Sequence, residues 1–171
     1  MLFRWLLGER REQAPTATDE LRAFVAKSMP SADPVSVAIA GAVAGLCAAV
    51  AFVDRAYTAG EQAAVRASLA RVHGLPEHAI AGICELLETH IAELAHESIQ
   101  TYTRVLYEGT ERSARLEVLD LLMDLAAADD VVSMDETNLL RRIATGLGLS
   151  DQDYVISQAR HRDRLSVLRP H

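Results

Sequence analysis

An all-α fold organised around an internal repeat is what this sequence predicts, and three observations carry that prediction. No stretch of useful length alternates apolar and polar residues as a half-buried strand does. Aromatic residues make up only 5% of the chain while alanine abounds, which favours closely packed helices. A unit of helix, short acidic loop, helix and glycine stop occurs twice. The 171 residues amount to one domain. Hydrophobic residues make up 50% and charged residues 24%, so a disordered tail and a disulfide-stapled mini-protein are excluded.

Residues 1–18 read as an amphipathic N-terminal segment and linker. Met1 to Gly8 is too short for a signal peptide and no small-residue cleavage site follows it. Through Phe3, Trp5 and Leu6 it suits docking on its own domain, on a partner or on a membrane surface. A short helix near 19–28 and a connection fill residues 19–34. Val35 to Val53 then carries no charge. At 1.5 Å per residue such a helix spans about 28 Å, close to the hydrocarbon thickness of a bilayer. Nine of its 19 residues are Ala or Gly, however, and no Lys/Arg cluster flanks it. It reads as a central core helix over 35–55, with Gly41 and Gly45 letting neighbours approach. Further helices are expected near 59–73, 77–90, 91–107, 112–129, 134–147 and 151–163. Residues 164–171 form a basic tail.

Leu46–Asp54 matches Leu121–Asp129 at an offset of 75, and Glu61 and Glu136 follow each Asp by seven residues. The first repeat covers about 35–76 and the second about 112–150. Thr58 and Ser133 stand three residues before those glutamates, the capping-box spacing. Gly74 and Gly148 suit the left-handed position just past a helix. The first helix of the second repeat carries Glu117, Asp120 and Asp124 on one face, so it is an amphipathic helix, and Val35–Val53 is its core counterpart.

The formal charge is −7, which gives no electrostatic footprint for nucleic acid. Acids dominate two stretches, Val72–Thr103 and Leu116–Leu140. They read as solvated faces, or as a surface for cations or a basic partner. Cys47 and Cys84 sit among apolar residues with no CxxC, as buried thiols of a reducing cytoplasm do. Glu93 and His96 form a single Glu-x-x-His, whereas di-iron bundles need two. No GxSxG, Walker loop, GxGxxG or zinc spacing is present.

The run Ala126-Ala127-Ala128-Asp129-Asp130-Val131-Val132-Ser133-Met134-Asp135-Glu136, with Leu139, Ile143, Ala144 and Leu147-Gly148-Leu149-Ser150, resembles the TerB-like family. That family is named for the tellurite-resistance protein TerB and is also met at the N-terminus of the membrane-anchored co-chaperone DjlA. Val53-Asp54 through Glu61 to Gly74-Leu75 is a looser second instance, and the resemblance covers about residues 35–163. It implies a compact bundle of about seven helices with pseudo-twofold symmetry. It also implies links to tellurite and chemical stress, to membrane-associated complexes, and a divalent-metal site of acidic residues. Where the family has Gly after the loop Asp, this chain has Arg55 and Asp130. Arg55 is placed to pair with Asp54 and spoil a cation site, whereas Asp130 adds an oxygen donor.

The metal candidates are therefore Asp129, Asp130, Asp135 and Glu136, with Asp54 and Glu61 as the symmetry-related half. Carboxylate oxygens suit Ca²⁺ or Mg²⁺, with Zn²⁺ as a further candidate, although the spacing is not that of an EF-hand. The competing reading is that Glu136 closes a capping box and the aspartates favour a helix start. The function expected is a non-enzymatic binding or scaffold module of a bacterial stress or tellurite-resistance system, with a protein partner. An adaptor or co-chaperone docking on a membrane protein or surface through Phe3, Trp5 and Leu6 is the alternative. A metal-dependent hydrolase ranks third, since no nucleophile or general base stands apart from the capping acids.

Overall fold

The structure, a computed structural model, describes residues 14–129 and 132–168, with side chains described for 14–128 and 132–162. All regular structure among the described residues is helical. Eight α-helices follow in order: α1 (Ala17–Ser28), α2 (Pro34–Ala51), α3 (Ala59–Leu69), α4 (Glu77–His96), α5 (Ile99–Gly109), α6 (Arg112–Ala126), α7 (Met134–Gly146) and α8 (Asp151–Leu168). A single 3₁₀ turn, Ala127–Asp129, follows α6.

α2 is the axis of the molecule. Asp33 starts it, its Oδ1 accepting from the N–H groups of Val35 (2.9 Å) and Ser36 (3.0 Å), with Pro34 already at the φ a first turn needs. Every residue from Ala40 to Ala51 is buried. The helix is long and apolar enough to cross a membrane. Here α1, α3, α4, α5, α6 and α7 pack around it instead, so its apolar faces meet protein. Gly45 makes one of these approaches possible, because a Cβ there would stand 2.3 Å from Cζ of Tyr102 on α5. The α5 side of that contact is an amphipathic stripe, Ile99, Tyr102, Thr103 and Leu106, all buried at helical spacing.

The repeat is visible in the packing. α2, α3 and α4 contact one another pairwise, and α6, α7 and α8 do the same. Capping boxes start α3 and α7. α7 ends in a Schellman turn: Gly148 has φ +68°, its N–H reaches Thr145 O (3.0 Å), and Leu149 N–H reaches Ala144 O (3.0 Å). Gly74, the counterpart after α3, has φ +80°.

Several boundaries differ from those the sequence predicts. α3 stops at Leu69 rather than 73, because the N–H groups of Arg71 and Val72 bond three residues back and tighten the chain into turns. α2 stops at Ala51 rather than 55, because Phe52 leaves helical geometry (φ −110°, ψ 15°) and the N–H groups of Val53 and Arg55 bond three residues back. The break expected at 90–91 is a kink inside α4, where His90 has φ −122° and ψ 17°. The helix resumes and gives way at Glu97 and Ser98. The backbone of α8 continues to Leu168, so helix extends into the segment read as a basic tail.

Candidate functional site

The two acidic loops are the sites the sequence singles out. In the first, between α2 and α3, Asp54 Oδ1 accepts from the N–H of Ala56 (3.0 Å). This Asx turn folds the loop back on itself. The expected pairing of Asp54 with Arg55 is not made: no ion pair joins them among the described residues. Arg55 at φ +65° carries its side chain through a conformation that favours glycine. Thr58 then caps α3. Its Oγ1 accepts from Glu61 N–H (3.3 Å), and its own N–H donates to the Glu61 carboxylate. Tyr57 sits just before the cap with a buried, unpartnered hydroxyl, and burial raises its pKa above the usual phenol range.

The second loop repeats the device. Ser133 Oγ accepts from Glu136 N–H (3.1 Å), Ser133 N–H donates to Glu136 Oε2 (2.6 Å), and Thr137 Oγ1 donates to Ser133 O (2.9 Å). Glu61 and Glu136 thus spend one oxygen each on backbone donors that a helix start leaves open. Asp135 lies exposed in the first turn of α7. The backbone of Asp129 closes the 3₁₀ turn, while its side chain and all of Asp130 lie outside the described residues. Phe3, Trp5 and Leu6 also lie outside them. Among the described residues no three His, Cys, Asp or Glu side chains come together to hold a metal. In the first loop Asp54 and Glu61 are turned to their own backbone, which does not fit a cation cage. In the second Glu136 is so engaged, while Asp135, the other acid whose side chain is described there, lies exposed; carboxylate oxygens are the donors a hard cation prefers.

The structure adds a polar seam that single residues in the sequence do not announce. On α6, Asp120 and Asp124 stand one turn apart, and on α8 so do Ser157 and His161. Ser157 Oγ donates to Asp120, Arg160 reaches the same carboxylate at 3.4 Å, and His161 Nδ1 lies 3.0 Å from Asp124 Oδ1. Arg71, from the turn after α3, binds Asp124 Oδ2 at 2.6 Å. Part of the acidic stretch Leu116–Leu140 is therefore answered within the chain. The matched i, i+4 pairs on two helices are the signal that could have found it.

Three further histidines meet groups of their own chain. His78 Nε2 meets Ser28 O at 3.0 Å, His96 Nδ1 meets Ala92 O, and His90 Nε2 lies 3.4 Å from Glu20. Cys47 and Cys84 are free thiols, and burial pushes the Cys47 thiol up to about 12, far from a reactive thiolate.

The two capped loops, at equivalent places in two mutually packed helix triplets, are the frame within which the comparisons fall. The family model described as "Tellurite resistance protein TerB" matches residues 40–159, spanning both loops and helices α2 to α8. The chain belongs to the TerB family. The seven helices from α2 to α8 hold the matched segment, and α1 precedes it. No curated protein and no solved structure matches this TerB chain.

Proposed function

We propose that this TerB-family chain is a non-enzymatic binding module of a bacterial tellurite or chemical stress response, engaging a protein partner in the cytoplasm. The observation that carries the reading is the family match across both acidic loops. The free thiols of Cys47 and Cys84 support a reducing compartment.

Within that reading the second loop holds a divalent cation, Ca²⁺ or Mg²⁺ before Zn²⁺, through Asp129, Asp130 and Asp135. Three carboxylates within seven residues support it, as does the replacement of the equivalent of Asp130 by Arg55 in the first loop. Glu136 belongs to the cap and Asp54 and Glu61 to the first turn. The test is the melting temperature in chelator and then with each metal added. Binding to the native state raises it by mass action. Asp130→Asn and Asp135→Asn are expected to abolish the rise. A rise of equal size in both variants, or none in the wild type at millimolar metal, rejects the cation.

A further inference from the structure

We propose that the apolar N-terminal segment, Met1–Leu7, docks in the groove that α1, α2 and α5 leave open on its own chain. Two cavities make this groove, one of about 330 Å³ bounded by Thr18, Gly41 and Tyr102, the other of about 340 Å³ bounded by Met29. They adjoin, since Arg22 and Ala38 line both. Gly41 belongs to the floor. Although it is buried, a Cβ there would meet nothing within 4 Å. One turn later Gly45 is covered by Tyr102. A glycine inside a helix is less stable than alanine, and no neighbour among the described residues requires one at position 41. The space over it is open.

The chain supplies apolar side chains from close by. Six of the first seven residues are apolar, Phe3, Trp5 and Leu6 among them. The described chain starts at Ala14, and four residues later Thr18 is already on the cavity wall. Residues 8–13 reach at most about 20 Å at roughly 3.3 Å each. A tether this short gives the segment an effective concentration in the millimolar range, above what a free partner reaches. Docking takes apolar surface of both parts out of water. It holds whether or not a cation binds the second loop.

Trp5 is the one tryptophan of the chain, so its fluorescence reads its own surroundings. The full chain is compared with Gly41→Leu, which fills the floor, and with Ala38→Glu at the half-exposed position shared by the two cavities. The expected wild-type emission is blue-shifted from free tryptophan, weakly quenched by acrylamide and unchanged on dilution. In both variants it moves to the free-indole value and quenching rises several-fold, with helix content by circular dichroism retained. Should Gly41→Leu not fold, Ala38→Glu carries the comparison alone. Solvent-like emission in the wild type overturns the docking and leaves the segment to a partner or a membrane surface. A blue shift lost on dilution overturns it in favour of a second copy. A blue shift that neither variant moves places the segment elsewhere.

Discussion

The ring of Tyr102 lies against the backbone of Gly45, so close that a Cβ at position 45 would stand 2.3 Å from its Cζ. The contact joins the central helix to α5 and seats a ring that is 3% exposed. Its hydroxyl is spoken for, 3.3 Å from Leu94 O and 3.3 Å from Thr18 Oγ1, so the ring has little freedom to retreat. Gly45→Ala is therefore expected to lower stability by about 1–3 kcal/mol, although alanine is the better helix former. Urea midpoints of the wild type, Gly45→Ala, Tyr102→Val and the double variant check this. The cost of the added methyl should shrink once the ring is gone.

Arg55 is the described non-glycine residue with positive φ, at +65°. The left-handed region costs an L-residue roughly 1–2 kcal/mol that glycine does not incur, and the extra freedom of glycine in the unfolded chain offsets part of that. Arg55→Gly is expected to raise stability by about 0.5–1 kcal/mol, seen as a higher urea midpoint at unchanged slope. A lower midpoint would show that the Arg55 side chain stabilises the loop by more than its backbone strain.

The capping boxes of Thr58 and Ser133 start two different helices and share no partner. Thr58→Ala and Ser133→Ala are each expected to cost about 1 kcal/mol, and their sum should describe the double variant. Thermal melts of the three chains measure it.

These boxes were plain in the sequence because a cap is local chemistry: Ser or Thr, three residues, then Glu. The glycines at 74 and 148 were equally plain, since their need for positive φ is also local. α2 was harder, because its composition suits a bilayer as well as a core. The amphipathic face of its counterpart α6 decided between the two. The His90 kink showed as a helix boundary, because a departure of one residue from helical φ and ψ leaves the same mark in a pattern as a short loop. The α6–α8 seam stayed out of sight, since Arg71 and Asp124 stand 53 positions apart and Ser157 and Asp120 stand 37. Such pairs exist only after the helices have packed.

Acid should loosen the helix starts. Hydrogen bonds from Thr16, Ser36 and Ser150 hold the carboxyls of Asp19, Asp33 and Asp153 below the ordinary aspartate range. A folded-state pKa below the unfolded one gives stability that is present above the unfolded value, about 3.9. It is lost as pH falls through the folded one. Urea midpoints should therefore fall between about pH 5 and about pH 3. In the Asp33→Asn, Asp153→Asn double variant the fall should be shallower.

On the proposed reading the equivalent loops of the two repeats have parted: the first is a structural turn, and the second takes a cation through Asp129, Asp130 and Asp135. A Ca²⁺ and Mg²⁺ titration followed residue by residue in amide nitrogen–proton NMR spectra tests it most directly. Saturable shifts are expected in residues 127–136 alone, with 52–61 unmoved. No shifts at millimolar metal, or shifts as large at Asp54 and Glu61 as at Asp130, would contradict it.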